Sequence, residues 1–256
     1  MSELLNVTTR DRICQILLNR PEKKNALTLA MYEDLTQALI SADGDPDVRV
    51  ILLGSTSDSF CSGNDIADFI AAASRPDAVA APLTFLQTIA ALAKPVIAVV
   101  PGVAVGIGTT ILLHCDLVIA SDQARFQLPF ARLGLVPEGG SSLLLPQLAG
   151  HRRAFELLVM GEAFSAATAR ELGLINRVVM HNSLKDLAML EAEKLAALAP
   201  EAVRQSKAML RSHIRNQLDA VLVAEVKQFA ARLQSAEAAE ALQAFMEKRE
   251  PDFSRF

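Results

Sequence analysis

The sequence has no tryptophan and a single tyrosine, so it is poorly supplied with the aromatic platforms on which single-stranded nucleic acids stack. Positive charge is not in excess either. Its 25 Lys and Arg stand against 29 Asp and Glu, a net charge of −4, and no nucleic-acid partner is expected. Cysteine is scarce: Cys14, Cys61 and Cys115 are odd in number and form no Cys-x-x-Cys pair. That usage points to reduced thiols and a cytoplasmic location rather than to a disulfide framework. Long apolar runs are missing too. The longest, residues 96–105, is interrupted by Pro101 and Gly102 and is too short to span a bilayer, so no membrane association is expected. The opening MSELLNVTTRDR has no basic region followed by an apolar stretch, so no secretory leader is expected, and the closing Ser-Arg-Phe is not the Ser-Lys-Leu peroxisomal address.

Several catalytic signatures are also absent. Without His-Glu-x-x-His or paired Cys-x-x-Cys motifs, no metal site is expected. There is no Gly-x-Ser-x-Gly elbow and no phosphate-binding Gly-x4-Gly-Lys-Ser/Thr loop. Gly102, Gly106 and Gly108 follow an apolar run, but the third glycine of a dinucleotide fingerprint falls on Ile111, which argues against a nicotinamide cofactor.

What is present is 256 residues with 51% hydrophobic content, enough for one large domain or a core with a small appendage. The first half alternates β-branched apolar runs with helical patterns. Residues 13–18, 48–53, 96–100 and 117–120 read as buried strands, and residues 28–42 (with Thr28 as N-cap) and 78–92 as helices. This alternation predicts an α/β domain with a mostly parallel sheet covered on both faces. After Gly150 the patterns are mostly helical: 152–160, 166–172, 184–198, 201–212, 219–233 and 236–248, with a short strand at 177–179. Ala199-Pro200 marks the boundary between a core, 1–199, and a C-terminal helical region, 200–256. Leu218, Val221, Leu222, Val226 and Phe229 form apolar stripes that so short a region cannot cover alone. They must pack on the core or on a neighbouring subunit, and a trimer or hexamer with these helices at its interface is expected.

Two loops carry chemical potential. Ser59-Phe60-Cys61-Ser62-Gly63-Asn64-Asp65-Ile66 follows one apolar run, with Asp65 placed to cap a helix starting at Ile66. Gly102-Val-Ala-Val-Gly106-Ile107-Gly108 follows another and leads into an apolar helix at 109–113. Glycines at such helix starts let a ligand approach backbone N–H groups at a positive helix end. Two turns of this kind are the parts of an oxyanion hole, although on spacing alone two ordinary glycine turns fit as well.

Together, FCSGND and PGVAVGIGTT resemble the enoyl-CoA hydratase/isomerase (crotonase) superfamily. So do the early NRPEKKNAL, the Cys115-Asp116 pair, the late GLVPEGG and the terminal FMEKR. The resemblance implies a spiral of ββα units with a C-terminal helical region, assembled as trimers or dimers of trimers. It implies an acyl-CoA thioester substrate whose carbonyl sits between two backbone N–H groups, here those of Asn64 and Ile107. Coenzyme A would arrive as part of the substrate, and no separate cofactor is implied.

By the same resemblance, hydratases use two glutamates, at positions that here carry Thr110 and Phe130. Neither side chain can activate water or protonate carbon. Glu138, in Leu-Val-Pro-Glu-Gly-Gly, resembles instead the proton-moving glutamate of the peroxisomal-type Δ3,Δ2-enoyl-CoA isomerases. By position alone it reads better as a surface acid in the first turn of a helix starting near Gly139, and the resemblance is what favours catalysis. Its apolar surroundings (Phe130, Leu133, Leu135) would raise its pKa while a helix N-terminus would lower it, and the sequence leaves the balance open. Lys23 and Lys24 are candidates for the CoA phosphates or are solvated surface lysines. Ala26, Ser62, Asp65 and Ile66 are expected to meet adenine and pantetheine through their backbone, and Gly63, Gly106, Gly108 and Phe130 are expected to contact the substrate as well. Phe245 and Lys248 would complete the pocket from the last helix, and residues 66–73 and 78–92 would wall the acyl chain. The isomerase reading leads. Another crotonase reaction, such as hydration or thioester hydrolysis, and a non-catalytic crotonase-fold binding protein remain alternatives.

Overall fold

A computed structural model describes residues 3–72 and 80–256, with the side chains of 70–72 outside the description. Among the described residues the strands are β1 (Leu5–Arg10), β2 (Ile13–Leu18), β3 (Val50–Ser55), β4 (Val96–Val100), β5 (Val103–Val105), β6 (Leu117–Ser121), β7 (Arg125–Gln127), β8 (Phe164–Ser165) and β9 (Arg177–Val179). A six-stranded sheet runs β1-β2-β3-β4-β6-β9, and a second, three-stranded sheet runs β5-β7-β8. In the large sheet β1 is antiparallel to β2, and every other pairing is parallel.

The parallel strands are apolar on both faces because both are covered. Ile13, Val50, Leu52, Ile97, Val99 and Ile119 pack under Leu184, Ala188, Ala192 and Ala196 of the helix Leu184–Ala196. The alternate residues Cys14, Ile16, Ile51, Leu53, Ala98, Val100 and Val118 face the main core, which the helices Leu29–Gly44 and Ala80–Ala91 join through Met31, Leu35, Leu39, Phe85 and Ile89. Thr28 does cap the first of these, accepting from Met31 N at 3.3 Å.

Each strand of the large sheet except β1 matches an expected apolar run, although β3 begins and ends two residues later than 48–53. Polar LNVTTR, the sequence of β1, and the two- and three-residue strands of the second sheet were not expected. The apolar helix expected at 109–113 is a single turn at Ile107–Thr110 followed by a tighter turn at Ile111–His114. The helix expected at 152–160 divides into His151–Phe155 and a wider-wound Glu156–Met160.

From Pro200 onward the chain is almost wholly helical, as Pro200–Ser212, Arg215–Leu233 and Ala236–Glu247. The apolar stripe of the middle helix does not wait for another subunit. Leu218, Leu222 and Phe229 are buried in the main core, and Val226 is buried beside them. The covering surface is the chain's own, so this stripe does not argue for an intermolecular interface. The first tail helix is anchored by ions: Lys207 Nζ lies 2.7 Å from Asp116 and Arg211 3.0 Å from it.

Candidate active site

The two glycine loops come together because their backbones pair. Phe60 N and Cys61 N both donate to Val103 O at 3.0 Å, and Val105 N donates back to Cys61 O at 2.9 Å. Gly108 permits this closeness. A Cβ there would stand 2.3 Å from Cys61 O, so the glycine serves the junction of the two loops. On the other side, Leu27 N donates to Gly63 O and Asp65 N to Leu27 O, both at 2.8 Å. Asn64 is thereby held between two tied residues, and Ile107 opens the short helix after Gly106. Among the described residues, neither the Asn64 N–H nor the Ile107 N–H donates to a protein group.

Both residues line one cavity of about 290 Å³. Its walls are apolar: Ile66, Phe69, Phe130, Leu133 and Leu135 meet Phe229, Leu233, Leu242 and Phe245 from the last two helices. Ser62, Gly63 and Gly106 lie at the donor side. The sequence placed Ile66, Phe130 and Phe245 at this site, and the structure brings them together. It does not bring in 78–92: none of its described residues lines the cavity, because Phe85, Leu86 and Ile89 face the core. Residues 73 and 78–79 of the expected acyl wall lie outside the described residues. Lys248, which terminates the last helix in a left-handed conformation, is not part of the cavity wall either.

The turn 20–26 packs against the first loop. Asn25, fully buried, accepts from Arg20 N and donates to Ser59 O and Phe60 O, joining this turn to the first loop. The amides of Ala26, Ser62 and Asp65 are taken by Lys23 O, Lys24 O and Leu27 O, so none of the three offers a free N–H donor, and of the three only Ser62 lines the cavity. Lys23 and Lys24 are exposed beside Ser62. Asp65 caps the helix Ile66–Ala72, accepting from Asp68 N, and takes Arg20 at 2.8 Å. Burial alone would raise its carboxyl, but the Arg20 guanidinium and the helix amides override that and hold it below the usual carboxylate range.

Glu138 is buried, 7% exposed, and is not among the residues that line the cavity. Its Oε1 accepts from Thr110 Oγ1 at 2.7 Å, three residues beyond Ile107. Burial pushes its pKa up to about 8, against the Thr110 hydrogen bond and with added repulsion from Glu225. Burial therefore prevails over any helix terminus. The helix begins at Ser141, past Glu138, and its first amides are occupied by a different carboxylate: Glu225 accepts from Gly140 N at 2.6 Å and Ser142 N at 2.9 Å. Glu138 is thus not the helix-start acid that its position alone also allowed. Its backbone is fixed on both sides, by Ser141 Oγ on Glu138 O at 2.6 Å and by His114 Nε2 donating to Gly139 O at 2.8 Å.

Two residues at this site were not singled out from sequence. Tyr32, fully buried, donates its hydroxyl to Asn64 Oδ1 at 2.5 Å and packs edge-on against Phe85. Glu225 interrupts the apolar run 221–226, and an acid on the same helix face as Leu218, Leu222 and Phe229 was a readable signal. Among the described residues, no group of three or more His, Cys, Asp or Glu side chains is disposed to hold a metal. No helix there is long and apolar enough to cross a membrane.

Parallel strands leading into backbone-donor turns, an apolar cavity and a buried carboxyl tied to the short helix after the second turn are the architecture of a crotonase-fold enzyme that works on CoA thioesters. The chain belongs to the enoyl-CoA hydratase/isomerase family, whose pattern matches residues 8–255. It is 35% identical over 245 residues to mouse peroxisomal enoyl-CoA delta isomerase 3, covering 94% of this chain and 77% of that one. It is 34% identical over 260 residues to 1,2-epoxyphenylacetyl-CoA isomerase of Escherichia coli K12, covering 99% of each. The crystal structure of an enoyl-CoA hydratase/isomerase from Pseudoalteromonas atlantica T6c superposes with a TM-score of 0.92 at 40% identity, covering 98% of this chain and all of that one.

Proposed function

We propose that this protein moves the double bond of a 3-enoyl-CoA to give the trans-2-enoyl-CoA. The carrying observation is that Glu138 is buried against Thr110, while neither Thr110 nor Phe130, at the two positions where a hydratase would carry its acids, can ionise. A 3-enoyl thioester has an acidic C2–H, flanked by carbonyl and alkene. Glu138 removes that proton, the Asn64 and Ile107 N–H groups receive the developing enolate oxygen, and protonated Glu138 returns the proton at C4. One base suffices because the same proton leaves and re-enters. Each backbone donor is expected to contribute roughly 10²–10³ in rate. Because these donors belong to the main chain, the side chains of Asn64 and Ile107 are free to differ from those of other members.

Lys24, Ala26, Ser62, Asp65 and Ile66 take the CoA portion in this reading, with Gly106 and Phe245 bounding the acyl entrance. A homotrimer or hexamer in the cytoplasm completes the proposal. Met209 and Leu210, each 74% exposed on the helix Pro200–Ser212, supply apolar surface for assembly, and the three cysteines are unpaired as a reducing compartment requires. Supplying 3-enoyl-CoA and 2-enoyl-CoA separately tests the reaction. Conjugated thioester absorbance should rise with the first substrate, and water addition to the second should be negligible. Hydration of 2-enoyl-CoA without double-bond migration would overturn the reading. A monomer at micromolar concentration by light scattering would overturn the assembly.

A further inference from the structure

Glu138 and Glu225 are two buried carboxyls at opposite ends of one short turn, and their surroundings differ. Glu225 receives three donors, Gly140 N, Ser142 N and Ser142 Oγ, and all of them sit at the positive start of the helix Ser141–Ala149. Glu138 receives one side-chain donor, from Thr110. A carboxyl that only accepts, from three groups at a helix N-terminus, is arranged to be an anion. A buried carboxyl with one donor is arranged to take a proton easily.

We propose that Glu225 is a positioning residue of the proton-transfer site. By occupying the donors at the start of the helix Ser141–Ala149, it carries the negative charge of the pair and keeps Glu138 the readily protonated member. The inference rests on the reading of Glu138 as the proton shuttle. The same helix, Arg215–Leu233, supplies Phe229 and Leu233 to the cavity wall, so the charge behind the base and the surface beside the acyl group belong to one rigid element.

The other groups that face Glu138 leave this charge unopposed. Tyr32 and Cys61 are fully buried or nearly so, and burial, with repulsion from Glu138 added, keeps the phenol and thiol protonated; the thiol is pushed up to about 12. His114, behind Gly139, is pushed down to about 4 by burial and is neutral. Thr110 is uncharged. Arg211 reaches the His114 carbonyl but is engaged by Asp116. On Glu225 itself, burial raises the carboxyl above its ordinary range, and the three donors from Ser142 and Gly140 offset only part of that. Gathering negative charge behind a base strengthens it, the same device by which environments set two nearby carboxyls to different tasks.

The test is a carbon-13 titration of the glutamate carboxyls in the folded protein, with Glu138 and Glu225 assigned by E138Q and E225Q. In the unmodified protein Glu225 should titrate at lower pH than Glu138, and the reverse order overturns the proposal. In E225Q, Glu138 should titrate lower by on the order of half a pH unit or more, and in E225D it should stay near its original midpoint. An unshifted Glu138 in folded E225Q also overturns it. The pH profile of 3-enoyl-CoA conversion should follow, its acid limb moving down in E225Q. If the unmodified protein did not convert 3-enoyl-CoA, the proposed reaction would fall while the titration still decided the role of Glu225.

Discussion

Thr110 Oγ1 stands 2.7 Å from Glu138 Oε1, so a position that carries an acid in hydratases here serves the one acid that remains. The hydroxyl cannot ionise, and it leaves Glu138 free of a second charge at contact distance. Gly139 makes the contact possible: a Cβ there would lie 2.7 Å from the Thr110 hydroxyl and 2.8 Å from its Cβ.

Removing this donor should strand the ionised form of Glu138. A hydrogen bond to a charged group contributes about 1.5–3 kcal/mol, or roughly one to two pH units. Thr110→Val should therefore move the acid limb of the isomerase profile upward by about one unit and lower the rate at neutral pH about tenfold. Thr110→Ser, which retains the hydroxyl, should restore most of it. Initial rates across pH 6 to 10 check both variants.

Gly139→Ala should unfold the site rather than tune it. The residue has φ of +71°, where L side chains are strained, and the added methyl meets Thr110 below any ordinary contact distance. Strain and overpacking of this kind together cost at least about 2 kcal/mol. The urea midpoint should fall accordingly, with Gly134→Ala, whose Cβ would meet Ala238 N at 2.7 Å, behaving alike.

The large sheet was legible because parallel strands covered on both faces leave unbroken β-branched runs, as in VIAVV of β4. The second sheet was not, because strands of two or three residues such as Phe164–Ser165 carry no period to detect. At the site, the loops bearing Asn64 and Ile107 were visible as turn chemistry, but Glu138 was singled out only by resemblance. Its neighbours Thr110, Tyr32 and Glu225 come from three separated parts of the chain, and no local pattern records that they meet. The stripe Leu218–Phe229 was read correctly as needing cover, and the covering surface proved to be the core of the same chain.

Histidine 114 gives the fold an acid sensitivity of definite sign. Its pKa is pushed down to about 4 by burial, below the ordinary 6.5, so the unfolded chain binds the proton first. This contribution to stability is complete above about pH 6.5 and declines as pH falls toward 4. His114→Gln keeps a donor for the Gly139 carbonyl and cannot charge. The denaturation midpoint of His114→Gln, taken relative to that of the original protein at the same pH, should therefore be higher at pH 5 than at pH 7.

Glu138→Gln should separate catalysis from folding. It keeps size and an acceptor for Thr110 but cannot shuttle a proton, so isomerisation should fall by at least about 10²-fold, the low end for general acid–base catalysis. Binding of CoA esters should hold within a few-fold, because the Asn64 and Ile107 donors are main-chain groups. Stability should change with the opposite sign to His114. The folded carboxyl keeps its proton until about pH 8, whereas the unfolded one loses it near 4.5. Ionisation therefore favours the unfolded chain increasingly from pH 4.5 to 8 and no further beyond. The melting temperature of Glu138→Gln should rise relative to the original protein across that window and then run parallel to it. A Glu138→Gln protein that melts with no pH-dependent difference, yet still migrates the double bond at near-original rate, would make Glu138 an ordinary buried acid and send the search for the base elsewhere.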